Sequence, residues 1–257
     1  MTDDYSQTFR ELEKTLEFSR YRMSPIHQAI LNQEIWAILD IDERAGKGFF
    51  RNKVILELGI GVGTISINLK KKIQNLGIVG VDVSRSMLEI CRTNFSRNSS
   101  QTGDAHLIVG DIFHLPFRSL SFDSVLAIRL IQNLKENDLA LNEVSRILRP
   151  GGQIILDVYN KTSVPSLEDG FFSRLFRRKK RTYMHTCDLH GIVKICEFAG
   201  LLVKVHVECL FLGESSFRFV PRRIPHTMMF LDQIISNMPL FSKISTRIFI
   251  LSCKRNK

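Results

Sequence analysis

Across its 257 residues the chain has no apolar run approaching the ~18 residues needed to cross a membrane, so an integral membrane class is not expected. Cysteine is sparse. The five, Cys91, Cys187, Cys196, Cys209 and Cys253, are odd in number, widely scattered and without a CxxC pair. Neither a disulfide framework nor a zinc site is indicated, and reduced, mostly buried thiols are expected. The opening MTDDYSQTFRELEK lacks the basic-then-apolar layout of a secretory signal. A cytoplasmic location follows as the expectation. Internal repeats and long low-complexity linkers are also missing, and 44% hydrophobic content suits an ordinary core. One domain with additions over 1–257 is expected, not two independent ones.

Acidic residues are scarce in one part only. From residue 170 onward there are 16 Lys and Arg against 5 Asp and Glu, whereas residues 1–169 carry 20 against 21. The whole +10 excess therefore lies in the last third. Its densest stretch is FFSRLFRRKKR at 171–181, where Arg174, Arg177, Arg178, Lys179, Lys180 and Arg181 interleave with Phe171, Phe172, Leu175 and Phe176. A charge run is usually a solvated loop. The interleaved phenylalanines also admit contact with phosphate, in RNA or at an anionic membrane surface.

What is present begins with VILELGIGVG at 54–63, an apolar strand running through Glu57 into Gly59, Gly61 and Gly63. Alternate glycines let a strand turn sharply into a helix and let a ligand approach the backbone. Three places past Gly63 stands Ser66, so the GxGxxG template of phosphate-binding dinucleotide folds is incomplete. A second apolar strand, GIVGVDVS, ends on Asp82, whose carboxylate can accept both hydroxyls of a ribose. A third, HLIVGDIFHLPF, ends on Asp111 and Ile112, a carboxylate beside an apolar face that suits an adenine ring. Singly, each acid is as readily a helix cap or a solvated strand end. In this order they point to a nucleoside-containing cofactor.

With the further strand of SFDSVLAIRLIQNL and the helix, Pro-Gly-Gly break and strand of LNEVSRILRPGGQIILDVY, the chain resembles the class I S-adenosylmethionine-dependent methyltransferases. The likeness is to the broad group related to ubiquinone and menaquinone methyltransferases, and it is strongest over residues 50–160. It implies S-adenosyl-L-methionine as cofactor, and no metal. By position it implies that Glu57 and the loop of Gly59, Gly61 and Gly63 approach the methionine part. It gives Asp82 the ribose and Asp111 with Ile112 the adenine. Val83 and Met87 form the opposite apolar wall, and the backbone near Arg129 lines the methionine end.

Strands at 53–58, 77–82, 105–109, 122–128 and 152–158 alternate with helices at 62–72, 84–95, 135–148 and 186–199. An α/β fold with a mostly parallel sheet and helices on both faces is expected. The resemblance makes it a Rossmann-like, seven-stranded sheet, with a last strand at 245–254 running antiparallel beside the fifth. Helices at 8–18 and 25–40 make residues 1–50 an N-terminal lid on the 51–160 cofactor-binding core. Residues 161–257 form a basic C-terminal part with insertions at 160–185 and 213–243. In the second, Met228, Leu231, Ile234, Ile235 and Met238 share one face of a helix between Pro225 and Pro239. That face suits core packing, a membrane surface, an apolar substrate or a dimer contact.

Methyl transfer is an in-line displacement that needs alignment more than covalent chemistry. Where the acceptor carries a proton, histidine is the natural base, and His114, three residues beyond Asp111, is the best placed. His106 lies in a strand and reads as structural. Tyr21, His27, Gln132, Asn133, His185 and His226 are further residues able to approach an acceptor. A methyltransferase for a small-molecule or lipid-linked acceptor, at oxygen, is the leading expectation. Transfer-RNA modification through the basic third and a non-catalytic cofactor-binding scaffold are the alternatives.

Overall fold

The computed structural model describes residues 15–17, 24–51, 54–98, 103, 105–163, 186–209 and 245–255. The basic cluster of 171–181, the helix between Pro225 and Pro239, and Tyr21, His185 and His226 lie outside the described residues.

The first long helix, α1 (Pro25–Arg44), starts where Ser24 accepts from the His27 amide and proline takes the first turn. Strands and helices then alternate: β1 (Val54–Leu58), α2 (Thr64–Lys72), β2 (Gly77–Asp82), α3 (Arg85–Arg97), β3 (His106–Val109) and β4 (Phe122–Ala127). A 3-10 turn (Ile131–Asn133) leads to α4 (Asn137–Ile147) and β5 (Leu148–Asn160). The chain closes with β6 (Thr186–Cys187), α5 (Leu189–Phe198), β7 (Leu201–Cys209) and β8 (Arg247–Lys254).

The strands line up as β3-β2-β1-β4-β5-β8-β7. Neighbours from β3 to β5 are parallel, while β8 is antiparallel to both β5 and β7. The expected seven strands are all there, and the two-residue β6 adds an eighth on β5. The fifth strand starts before its apolar run, because Leu148 already pairs with Phe122 of β4; residues 149–152 are taken up at the register shift before Ser124 pairs with Gln153.

Each strand presents alternate residues to the two faces, and each face has its own core. Ile154, Leu156, Ile248 and Ile250 pack with Leu141, Val144 and Ile147 of α4 and with Ile192 of α5. Ile155, Phe249 and Leu251 point the other way, into a cluster with Ile30, Leu31, Ile35, Ile38 and Ile41 of α1. Those five side chains are each at most 3% exposed, worth about 1.5–3 kcal/mol apiece. Along 25–44 the chain is thus a core helix laid on β7 and β8. Of the 8–18 helix only 15–17 is described; it is helical, and Thr15 is buried with its hydroxyl 3.2 Å from that of Ser86 on α3. No helix among the described residues is long and apolar enough to span a membrane.

Candidate functional site

The sheet order reverses between β1 and β4, and open α/β sheets bind ligands beyond the carboxyl ends of the strands at such a point. The loop after β1 sits there. Gly59, Gly61 and Gly63 all have positive φ (65°, 55° and 83°), and Gly63 caps α2 from the left-handed region. The amides of Gly59 and Ile60 donate to the Val81 carbonyl at 2.8 and 3.1 Å, which pins the loop to the end of β2. The glycines have different surroundings. A Cβ on Gly63 would stand 2.8 Å from Cys91 Sγ and 3.0 Å from the Phe95 ring, and one on Gly59 would be 3.0 Å from Leu130. On Gly61 it would meet nothing nearer than the Gly59 carbonyl at 3.9 Å. Gly63 serves helix packing, whereas Gly61 borders space that a ligand can fill.

Asp82 ends β2 and organises this loop. Its Oδ2 accepts from the Gly61 amide at 2.8 Å and its Oδ1 from the Ser84 amide at 2.9 Å. Burial pushes its pKa up against the pull of these amides. Each oxygen keeps a second lone pair, so Asp82 can hold the loop and still accept a ribose hydroxyl. Just beyond, Val83 is 44% exposed, while Met87 is buried with Val62 and Ile90. At the end of β3, Asp111 Oδ1 accepts from the Phe113 amide at 3.1 Å, and Ile112 is buried.

Glu57 is 2% exposed and accepts a hydrogen bond from the Ser66 hydroxyl of α2. Burial is the largest influence on it, and raises its pKa to about 8. A carboxyl raised above its unfolded value favours the protonated folded state, so its stabilising contribution is complete below the unfolded value. Stability should then decline as pH rises from about 4.5 through about 8. Glu57→Gln, which keeps an acceptor for Ser66, should flatten that decline and raise the melting temperature at pH 8, as thermal unfolding across the pH range would show.

The four further acceptor candidates described have these positions. His114 is exposed on the turn after β3, its amide donating to the Asp111 carbonyl at 3.0 Å. His27 is buried in the cap of α1, its Nδ1 2.9 Å from the Ser24 hydroxyl. Gln132 is buried, and Asn133 Nδ2 donates to the Arg129 carbonyl at 2.7 Å. Gln132 lines a cavity of about 210 Å³ with Val158, Cys187 and Ile192, on the sheet face opposite α1. His106 is exposed at the start of β3.

The sequence names Arg129 but not the three buried partners that hold it. Arg129 has a left-handed backbone at φ 59°, and its amide donates to Asp157 Oδ1 of β5 at 2.6 Å. Its guanidinium grips Glu34 of α1, which also accepts from Arg247 Nη1 of β8 at 2.8 Å, and Arg247 pairs with Asp157. The only hint was a lone charge inside each of three apolar runs, QAILNQEIWAIL, IILDVY and STRIFIL.

Glycine loop, Asp82 and the Asp111–Ile112 pair thus lie together at the ends of β1, β2 and β3, beside the point where the strand order reverses. Residues 56–156 match the family model described as a methyltransferase domain. The chain carries a class I S-adenosylmethionine-dependent methyltransferase domain, for which S-adenosylmethionine is the cofactor. Among its relatives, the ubiquinone/menaquinone biosynthesis C-methyltransferase UbiE of Wigglesworthia glossinidia brevipalpis is 35% identical over 108 residues, 42% of this chain and 43% of that protein. The O-methyltransferase rstn1 of Aspergillus nomiae is 27% identical over 119 residues, covering 46% and 52%. The chain thus spans about half the length of the curated relatives it matches. The magnesium protoporphyrin IX methyltransferase of Synechocystis, solved with bound SAH, superposes with a TM-score of 0.66 at 13% identity, covering 97% of this chain and 98% of that one. That likeness shows the fold.

Proposed function

We propose that the protein transfers a methyl group from S-adenosylmethionine to a small-molecule or lipid-linked acceptor, at oxygen. The observation that carries this is Asp82: one carboxylate tethers the amide of Gly61, the glycine that borders open space, and retains lone pairs for a ribose. When bound, the cofactor supplies a sulfonium methyl that an aligned nucleophile displaces. The chain's part is to hold and align. Asp82 takes the ribose, Asp111 and Ile112 take the adenine opposite Val83 and Met87, and the Gly59–Gly63 backbone and that of Arg129 border the methionine end. Thr15 against Ser86 of α3 supports a lid role for the N-terminal segment, because Ser86 lies two residues past the Asp82-bound Ser84. The apolar acceptor class is supported by the quinone-methylating enzymes among the relatives.

Calorimetric titration tests the cofactor half of this reading. S-adenosylmethionine and S-adenosylhomocysteine should bind at micromolar dissociation constants and NAD should not, and no binding by either sulfur compound would refute it. The acceptor atom is tested by transferring a labelled methyl to a demethylated quinol and locating it in the product by NMR. A methoxy signal agrees with oxygen; a ring methyl would overturn it. His114 is the candidate base. If it takes the acceptor's proton, His114→Ala should lower kcat on the order of 100-fold and leave the affinity for S-adenosylmethionine unchanged. A change under about twofold would return it to the surface.

A further inference from the structure

We infer that Glu34, Arg129, Asp157 and Arg247 form a positioning device that sets the backbone of Arg129, and through it the affinity for the amino-acid end of the cofactor. This rests on the cofactor reading above. A residue with a Cβ disfavours the left-handed region, so a φ of 59° at Arg129 persists only where its surroundings over-determine it. Here they do so at three points. The amide is held by Asp157 Oδ1 at 2.6 Å, the carbonyl by Asn133 Nδ2 at 2.7 Å, and the guanidinium by Glu34, with Nε 2.6 Å from Oε1.

The holding residues are themselves fixed. Glu34 and Asp157 are fully buried and Arg247 is 2% exposed, so two negative and two positive groups balance on the α1 face of the sheet. Arg247 bridges both carboxylates and lies 5.0 Å from the centre of the Tyr159 ring and 5.6 Å from that of Phe249. Apolar residues of similar volume commonly stabilise a core as well as a buried ion cluster does, so stability alone is a weak reason for this one. Directional hold is what charges add. The position matters because Leu130, next in the chain, lies against Gly59 of the glycine loop. A shift of Arg129 would therefore disturb both sides of the methionine end.

The test compares S-adenosylhomocysteine with 5′-methylthioadenosine, which shares the nucleoside and sulfur but lacks the amino-acid end. Glu34→Gln should weaken the first on the order of tenfold and the second less than about twofold, so that the ratio of the two affinities collapses. Equal weakening of both, or no change in either, would overturn the proposal. Should Glu34→Gln fail to fold, the Glu34→Met/Arg129→Met double variant removes one charge of each sign and leaves the Arg247–Asp157 pair intact. A wild-type ratio in that folded variant would mean a purely structural cluster. If the wild-type protein binds neither ligand, the cofactor reading fails with it, an outcome distinct from a failure confined to the variants.

Discussion

Replacing Asp82 by alanine is expected to weaken S-adenosylmethionine binding about 100-fold or more, since it removes charge-assisted bonds on two sides at once. Toward the ligand, the ribose hydroxyls lose their acceptor. Toward the protein, the amides of Gly61 and Ser84 lose theirs, at 2.8 and 2.9 Å, and the loop after β1 loses its tie to β2. Asparagine should be little better. Its single oxygen can serve one amide, but its NH₂ then faces the other N–H as donor to donor. A merely structural aspartate would give a different pattern, in which the melting temperature falls and the affinity of the folded fraction stays within about twofold. Calorimetry beside thermal unfolding separates the two.

The second large effect divides two neighbouring glycines. Gly63→Ala places a methyl 2.8 Å from Cys91 Sγ and 3.0 Å from the Phe95 ring at φ 83°, so packing strain and backbone strain add. A destabilisation of about 3 kcal/mol is expected, lowering the melting temperature on the order of 10 °C. Gly61→Ala has the opposite character. Its Cβ meets only the Gly59 carbonyl, at 3.9 Å, so the stability cost is the backbone term of about 1 kcal/mol. The methyl enters the space beside the loop instead, and cofactor affinity should drop on the order of tenfold or more. If Gly61→Ala bound the cofactor normally, the ligand would lie elsewhere.

The elements that order this site were legible because each is a short apolar run ending in a distinctive residue. Buried parallel strands leave such runs, as in VILEL and GIVGVD, and a strand-to-helix turn with positive φ calls for glycine. The helix at 25–44 was legible as a helix. Its depth in the core was not, because spacing records which face is apolar and says nothing of what covers it. The quartet was illegible for a related reason. Residues 34, 129, 157 and 247 meet only through the sheet order, and a single charge in an apolar run does not name its partner. The resemblance gave Glu57 a place near the methionine end, but its hydrogen bond with Ser66, in the first turn of the next helix, could not be read from the sequence.

The strand β8 slots between β5 and β7, with antiparallel ladders to both. In order of synthesis it follows every other described strand, so until residues 247–254 emerge, β5 and β7 each present a row of unsatisfied amides and carbonyls. The nascent sheet ends at β5, with β7 not yet joined to it. Arg247 arrives with the same strand, so for that time Asp157 lacks its cation and Glu34 has Arg129 without Arg247. Completion depends on contacts of long sequence separation, which form slowly and expose sticky edges meanwhile. A chain cut just before residue 247 should therefore aggregate rather than fold into a weakened protein, and chaperone dependence should be greatest until residues 247–254 have left the ribosome.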